Sequence, residues 1–267
     1  MLLNDSLNII LNVSREYLIK TPSIVGGLPR DMYLDKDIIT KDVDITTNDA
    51  DIIRLSVLSS ESLGVPFKMF SDGHTSIYMD DYILDFSSNF QSKNGIEYLR
   101  RERGITDPDL FEVYSRDFTI NTLHKSVDGE EITDPTGEGK RDIDDGVIRT
   151  VLPPDITLND DLRRVFRAIK LSSKYGFKIH EDIIKFTREN LYKFSNPNSW
   201  SIKEGYITTA ISEAIAYNED KTISNINDMG LLPAIPLSGM FKDYLIKTRM
   251  LDKYFKDLDN LDGAISD

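Results

Sequence analysis

The amino-acid sequence predicts an α+β protein in which a mixed N-terminal region is followed by a helical region. Short alternating, β-branched segments lie between helical ones before Pro153-Pro154. After that point apolar residues recur mainly at helical spacing. We therefore expect a head domain at 1–152, with a small mixed or antiparallel sheet, and an all-α region at 153–267.

Two segments near the N-terminus have clear periodicity. Residues 1–20 carry Asp5 within an apolar stretch, which predicts an amphipathic helix and not a signal peptide. Residues 38–47 are β-branched and alternate about Val43 and Ile45, which predicts a strand. The head domain should therefore begin with a helix and then enter its sheet.

Two later segments complete the expected architecture. Residues 74–88 are typical of two short strands around an Asp80-Asp81 turn. From Asn159 onward apolar positions fall at helical spacing, with Asn159 as the predicted N-cap and the acids that follow it in the first turn. The second region is thus expected to be a helical layer.

Composition limits the classes of protein and of metal site. The 267 residues are 40% hydrophobic and 29% charged, as in folded globular proteins. There is no cysteine and there are three histidines, so carboxylates are the expected metal ligands. A net charge of −13 argues against a chain-wide basic surface, and no stretch has the roughly 20 apolar residues of a membrane span. We expect a cytoplasmic protein with local nucleic-acid contacts, no membrane partner and no DNA partner.

An acidic pair stands in the predicted strand at 38–47. Asp42 and Asp44 flank Val43, so both carboxylates should leave one face of the strand, with Cα atoms ~6.5 Å apart. Their separation suits two divalent ions about 3.5–4 Å apart, the arrangement of two-metal phosphoryl transfer. The alternative is an exposed strand face with two solvated acids.

A glycine-rich turn precedes this pair. In GGLPRD, Gly26 and Gly27 would let the backbone approach phosphate oxygens closely. Arg30 could bind a triphosphate with its planar fork, and Asp31 could orient it. A plain turn would explain the glycines but not the Arg-Asp that follows, so we expect a nucleotide site.

Together these motifs resemble the class II tRNA nucleotidyltransferase and bacterial poly(A) polymerase family, a branch of the polymerase β-like superfamily. Three further segments match in order: SRDFTIN at 115–121, DPTGEGKRDIDDGVIRTV at 134–151 and NDDLRRVFRAIKLSSKYGF at 159–177. The resemblance extends from about Ile24 to about Leu237, within NDMGLLPAIPL. It implies a polymerase β-like nucleotidyltransferase head followed by a helical neck and a short body.

The resemblance also implies roles for the residues around SRDFTIN. Arg116 and Asp117 would stand beside the triphosphate and the metals, and Asn121 would support the site by hydrogen bonding. Superfamily members place a third carboxylate on a neighbouring strand. Asp85 meets that description in Ile-Leu-Asp-Phe, Asp117 is the rival, and a solvated strand residue is the alternative for Asp85.

The predicted helix after Asn159 would choose the base. Asp161 and Arg164 stand three residues apart on one helix face and, by resemblance, would hydrogen-bond the Watson–Crick edge of cytosine or adenine. The alternative is an ordinary capped helix. The same helix also carries a basic stripe, which either steers the RNA 3′ end or the triphosphate or is an ordinary solvated face. Within it, Arg167 is expected to bind the nucleotide. Its members are Arg163, Arg167, Lys170 and Lys174.

The function implied by the resemblance is template-independent addition of CMP or AMP, from CTP or ATP, to an RNA 3′ end. Mg²⁺ or Mn²⁺ would be the cofactor, as two ions, and the tRNA acceptor stem the expected partner. Poly(A) addition shares every motif, and an inactive RNA-binding relative or an enzyme with another acceptor are further alternatives.

The sequence departs from the family pattern at several positions. Ser115 replaces the first of two arginines, which puts rate or nucleotide choice in question, and Pro29 replaces an aliphatic residue. The segment SIKEGY at 201–206 lacks an expected Glu-Arg. The helical body is also shorter than is usual, so we expect a weaker grip on tRNA.

Overall fold

The computed structural model describes residues 1–36, 41–71, 73–87, 92–195 and 204–231. The helices in these ranges are α1 Leu3–Glu16, α2 Gly27–Tyr33, α3 Asp51–Leu63, α4 Lys93–Glu102, α5 Pro108–Tyr114, α6 Gly139–Asp144, α7 Pro154–Asp160, α8 Arg163–Tyr175, α9 Glu181–Glu189, α10 Leu191–Ser195, α11 Glu204–Tyr217 and α12 Glu219–Asp228, with a 3₁₀ helix at Thr119–Asn121. The strands are β1 Ser23–Val25, β2 Asp42–Thr46, β3 Phe67–Met69, β4 Thr75–Tyr78, β5 Ile83–Phe86, β6 His124–Ser126, β7 Ile132–Thr133, β8 Val147–Ile148 and β9 Lys178–Ile179.

The head domain is built on a mixed sheet, which confirms the predicted α+β class. The sheet has seven strands in the order β3-β4-β5-β2-β1-β6-β7. Strand β2 pairs in parallel with β5, and every other pairing of this sheet is antiparallel. Because β2 lies between β5 and β1, Asp44 stands beside Asp85 on one side and Val25 on the other.

Several predicted elements are present. Helix α1 occupies the amphipathic N-terminus, and its buried face includes Ile10. Strands β4 and β5 form the expected hairpin, in which the Met79 amide donates to the Tyr82 carbonyl across the Asp80-Asp81 turn. Parts of four predicted segments lie outside the described residues, namely 38–40, 88, 201–203 and 232–237.

The helix predicted after Asn159 is present as α8, but its predicted start is wrong. Helix α7 ends at Asp160, Asp161 is extended with φ −155° and ψ 102°, and α8 begins only at Arg163. Asn159 therefore lies inside α7, because Pro154 starts that helix earlier, at the first-turn position that proline favours. The N-cap residue of α8 is Leu162, and Oδ1 of Asp161, just before it, accepts from the Arg163 amide at 2.9 Å.

In residues 153–195 and 204–231, the described part of the second region, the regular elements are helices and one short strand, β9. β9 pairs in parallel with β8, which lies before the predicted boundary. The prediction of an all-α second region is thus wrong at Lys178–Ile179, because two residues are too few to leave a periodic signal. Among the described helices, none combines the length and apolar character that crossing a bilayer requires.

The hydrophobic core does not divide at the predicted boundary of 152/153. One cluster joins α1, α3 and the sheet, with Val43 and Ile45 fully buried in it. A second cluster contains Phe118 and Ile148 of the head together with Phe166 of α8. Apolar contacts therefore cross position 152/153, because the head supplies side chains to the core of the helical layer, and the domain boundary itself stays a prediction.

Candidate functional site

A cleft of about 740 Å³ lies between the head sheet and helices α8 and α11. Its lining includes these residues predicted from the sequence: Gly26, Gly27, Arg30, Asp31, Asp42, Asp44, Arg116, Asp117, Asn121 and Arg167. The predicted residues Asp85, Asp161 and Arg164 do not line it. The structure therefore brings the glycine turn, the acidic pair and SRDFTIN together in the cleft, whereas neither residue of the proposed base-reading pair lines it.

Strand β2 presents the acidic pair as its alternation predicts. Val43 and Ile45 are fully buried, whereas Asp42 is exposed and Asp44 half-buried. Burial raises the pKa of Asp44, and the negative charges of Asp85 and Asp42 raise it further. The nearby guanidinium groups of Arg116 and Arg167 oppose that rise. A carboxylate held in this way is stabilised by added positive charge.

The turn at Gly26 lies directly against the Asp44 carboxylate. Gly26 has φ +76°, and a Cβ there would approach Asp44 Oδ2 more closely than real Cβ atoms do. The same Cβ would lie 3.5 Å from Nη1 of Arg116. Gly26 is thus required both by its backbone conformation and by the close approach of the turn to Asp44.

Arg30 is buried beneath this turn and bound by other protein groups. Its Nε donates to Asp31 Oδ1 at 2.9 Å, its Nη1 to Asn121 Oδ1 at 2.5 Å, and its Nη2 to Tyr175 Oη at 2.6 Å. The sequence suggested that its planar fork would bind a triphosphate. In this structure the fork instead ties the turn to the 3₁₀ helix and to α8.

Asp117 is engaged by neighbouring residues. Its Oδ1 accepts from the Phe118 amide and from Asn121 Nδ2, each at 2.9 Å, and its Oδ2 lies 2.8 Å from Arg167 Nε. Burial alone would raise the pKa of Asp117, but the Arg167 charge and the Asn121 hydrogen bond lower it overall. Asp117 therefore stays ionised and fixes Arg167 in the cleft.

The two candidates for a third carboxylate, Asp85 and Asp117, are engaged by other side chains, and a metal-binding role for either stays a prediction. Asp85 stands beside Asp44 in register, and its Oδ1 accepts from Ser76 Oγ. Within the described ranges, no group of three His, Cys, Asp or Glu side chains is arranged to hold a metal. A pair of carboxylates still fits Mg²⁺, which commonly takes one or two carboxylates plus water and substrate phosphates.

The proposed base-reading pair makes other contacts. Arg164 is buried and donates from Nη1 to the Thr157 carbonyl at 3.0 Å and from Nη2 to the Ser115 carbonyl at 2.9 Å. Asp161 accepts instead from Arg163 Nε, at 2.8 and 3.0 Å. In the described arrangement Arg164 holds the start of α8 against the head, and base reading stays a prediction.

Ser115, which replaces an arginine of the family pattern, has a structural role here. Its hydroxyl donates to the Phe111 carbonyl at 2.6 Å and accepts from the Ser92 amide at 3.1 Å. Arg116 is the arginine that remains, and its Nη2 lies 2.6 Å from Oε1 of buried Glu112. Its Nη1 faces the Gly26 turn. The SRDFTIN segment therefore supplies one arginine, Arg116, where the family pattern has two.

The helical side of the cleft adds residues that the sequence did not single out. Of the predicted basic stripe, Arg167, Lys170 and Lys174 line the cleft, whereas Arg163 pairs with Asp161. Lys170 forms an ion pair with Glu213 of α11, with 2.5 Å between Nζ and Oε2. Further lining residues of this side are Leu171, Tyr206, Thr209, Ala210 and Tyr217. The helix α11 gave no motif, so its residues could be found only from the packing of α11 on α8.

Part of this chain is similar in sequence to known proteins. Residues 23–149 match the family described as the poly A polymerase head domain. The chain is 33% identical to tRNA nucleotidyltransferase cca1 of Schizosaccharomyces pombe over 132 residues, which are 49% of this chain and 24% of the relative. It is 30% identical to poly(A) polymerase I of Escherichia coli over 166 residues, which are 58% of this chain and 34% of the relative.

The fold is also similar to that of a solved enzyme. The CCA-adding enzyme of Thermotoga maritima, in complex with tRNA, superposes with a TM-score of 0.65 over 86% of this chain and 51% of that chain. The sequences are 17% identical, so this likeness concerns the fold. The chain thus spans 24% and 34% of the two curated relatives and about half of the solved one.

Proposed function

We propose that this chain, whose residues 23–149 match the poly A polymerase head domain family, is a template-independent RNA nucleotidyltransferase of the tRNA nucleotidyltransferase and poly(A) polymerase family, as its similarity to members of both groups supports. It adds CMP or AMP, from CTP or ATP, to the 3′ end of an RNA, and the acceptor stem of tRNA is its substrate. The observation that supports this most directly is the cleft in which Asp42 and Asp44 face cationic side chains.

The charge arrangement of the cleft suits a nucleoside triphosphate bound with metal ions. The acidic pair lies on the head side, and Lys170 and Lys174 line the helical side. A triphosphate could place its metal-bound oxygens toward the acids and its other oxygens toward the lysines. The two sides of the cleft are therefore complementary to the two kinds of charge in the substrate.

In the proposed reaction, the terminal ribose hydroxyl of the RNA attacks the α-phosphorus of the nucleotide. The bond to the β-phosphate breaks, and pyrophosphate leaves. Mg²⁺ or Mn²⁺ held by Asp42 and Asp44 would supply the positive charge that favours deprotonation of the hydroxyl and neutralises the phosphates.

The protein's other residues position the substrates for this reaction. The Gly26 turn, which lies against Asp44, brings backbone close to the acidic pair, where a phosphate oxygen can approach it. Arg167, which Asp117 fixes at 2.8 Å, offers positive charge to the triphosphate. Most of the rate would then come from positioning and preorganised charge.

The choice of nucleotide separates CCA addition from poly(A) addition. The motif with Asp161 and Arg164 is retained in the sequence and favours acceptance of both CTP and ATP, hence CCA addition. Poly(A) addition, which uses ATP alone, is the alternative supported by the similarity to poly(A) polymerase I.

The test is incorporation of labelled nucleotides, offered singly with Mg²⁺, into tRNAs that lack C-C-A, C-A or only A. We expect CMP to be added to the first two and AMP to the third, with UMP and GMP excluded. EDTA and the variant Asp42→Asn should each abolish incorporation. Long AMP additions to any 3′ end would instead indicate a poly(A) polymerase, and absence of incorporation by the wild type would contradict the proposed activity.

A further inference from the structure

Tyr175, the last residue of α8, bridges the helical region and the Arg30-Asp31 pair of the head. Its hydroxyl accepts a hydrogen bond from Arg30 Nη2 at 2.6 Å and donates one to Asp31 Oδ1 at 2.7 Å. A tyrosine hydroxyl can make both bonds at once, since it carries one hydrogen and accepting lone pairs. The Tyr175 ring also stacks beneath the guanidinium, with Arg30 Cζ 4.5 Å from the ring centre.

These contacts fix a side chain that supports the glycine turn. Arg30 is 5% exposed, and a Cβ on Gly27 would lie 3.2 Å from its Nη2. The turn therefore rests on the guanidinium, while Gly26 lies against Asp44 on the other side. Without the Tyr175 hydroxyl, Nη2 would keep its 2.9 Å contact with Asp31 but lose its shorter bond.

The same bridge determines how Asp31 meets Lys174. Asp31 Oδ1 is occupied by Arg30 and Tyr175, and Oδ2 lies 3.7 Å from Lys174 Nζ, longer than a hydrogen bond. Lys174 lines the cleft, so its ammonium group can turn from Asp31 toward a phosphate. Burial lowers the pKa of Lys174, and the charge of Arg30 adds to this, although Asp31 opposes it.

We propose that Tyr175 is a positioning residue for the triphosphate of the incoming nucleotide. It holds Asp31 against Arg30, which keeps the Gly26-Gly27 turn in place beside Asp44 and prevents Asp31 from pairing tightly with Lys174. This inference rests on the proposed function, because it assigns a support to the same nucleotide site. It also makes the helical region part of that site.

The test is Tyr175→Phe, which removes only the hydroxyl. We expect the KM for CTP and ATP to rise about tenfold, since two hydrogen bonds around a buried guanidinium and its carboxylate are lost. The kcat should change by less than about threefold, because the acidic pair is untouched. The matched control is Tyr192→Phe, which alters an exposed tyrosine of α10 and should leave KM and kcat unchanged. A variant with normal KM and a reduced active fraction would mean that Tyr175 serves stability alone, and would overturn the proposal.

A second variant reaches the same bridge from the head. In Asp31→Asn the amide oxygen can still accept from Tyr175, but the charge that holds Arg30 is removed. If Tyr175 acts through Asp31, the double variant should raise KM no more than about threefold beyond the larger single effect. Multiplication of the two single effects would show independent actions and overturn the proposal. Asp31→Asn also provides the KM measurement if Tyr175→Phe does not fold.

Binding measurements keep this inference separate from the proposed function. Affinity for ATP with Mg²⁺ is measured by titration calorimetry on wild type and Tyr175→Phe, without RNA. If the wild type binds ATP but incorporates nothing, the proposed activity fails, and a tenfold weaker affinity of Tyr175→Phe still supports the positioning role. Equal affinities, or no binding of ATP by the wild type, would overturn it.

Discussion

At Asp44 the fold holds a carboxylate in surroundings that oppose its ionisation. Burial is the largest cause of its raised pKa, and the charges of Asp85 and Asp42 act in the same direction. The two nearby arginines offset this only in part, because the pKa remains above its ordinary value. The folded protein therefore becomes more stable when a cation binds beside Asp44 or when the negative charge of Asp44 is removed.

We expect Asp44→Asn to separate activity from stability. Nucleotide incorporation should fall to below about one hundredth, because the charge that holds the metal is lost. The Tm of the metal-free protein at pH 7 should rise. The pKa of Asp44 is raised in the folded state, so its ionisation destabilises the fold as pH increases through that pKa, and the substitution removes this cost. The gain should vanish below about pH 3.9, where the carboxyl is protonated in both states.

Thermal unfolding across pH and the incorporation assay measure these two effects. Asp80→Asn, in an exposed turn of the head, is the matched control and should change neither quantity. A lower Tm for Asp44→Asn at pH 7 would contradict the assignment of Asp44 as an electrostatically strained carboxylate. Retained incorporation would contradict its role in holding the metal.

For single residues, the sequence predicted well which side chains face the cleft. It predicted less well which groups those side chains bind. Alternation alone placed Asp42 and Asp44 on one strand face, and that geometry is confirmed. The partners of Arg30 and Asp117 could not be predicted, because Tyr175 and Arg167 come from a helix distant in the sequence. Motif spacing is local, whereas these contacts depend on how α8 packs against the head.

At the scale of secondary-structure elements, hydrophobic periodicity wrongly predicted one continuous helix across the junction of α7 and α8. Apolar positions continue at helical spacing through the junction, but Asp161 is extended and the chain begins a new helix. Arg164 stabilises this break by donating to the carbonyls of Thr157 and Ser115. The guanidinium thus joins the end of α7 and the segment after α5 to the start of α8.

We expect Arg164→Ala to lower the free energy of unfolding by roughly 1–3 kcal/mol, because buried carbonyls lose their donor. Arg163→Ala is the matched control. Its side chain is 50% exposed and pairs with Asp161, so its loss should cost less than about 1 kcal/mol. Urea unfolding measures both, and equal small losses would contradict the bracing role of Arg164.

A second readout on these variants concerns the base. The ratio of CTP and ATP incorporation to UTP and GTP incorporation is compared between wild type and Arg164→Ala at saturating Mg²⁺. If that ratio also collapses, the guanidinium leaves its carbonyl partners to bind the base during the reaction. Stability and nucleotide choice are thus measured separately on one residue.

At the scale of the whole molecule, the sequence predicted the fold class but not how the two regions share a core. Composition and periodicity separate a mixed head from a helical region near Pro153-Pro154, and family motifs identify the head. Neither signal indicates that apolar residues of 118–148 pack against α8 rather than against the sheet. The site spans the same junction, because the cleft lies between the head and helices α8 and α11.

A fragment ending at residue 152 should therefore not fold as the head does in the full chain. It would expose the five head residues of the shared cluster, which are Phe118, Ile120, Leu123, Ile143 and Ile148. At about 1.5–3 kcal/mol for each buried side chain, the lost burial is on the order of 10 kcal/mol. That equals the whole stability of a typical domain, about 5–15 kcal/mol.

We expect this fragment to bind the dye ANS and to lack a sharp urea transition. A fragment ending at residue 231 is the matched control, because it retains the described helices that complete the cluster, and it should unfold cooperatively. A cooperative transition of the shorter fragment, with the stability of the longer one, would mean that the head is an independent domain. In that case the shared cluster would be an interface between two independently folded domains. The cleft could then open and close without lowering the stability of the head.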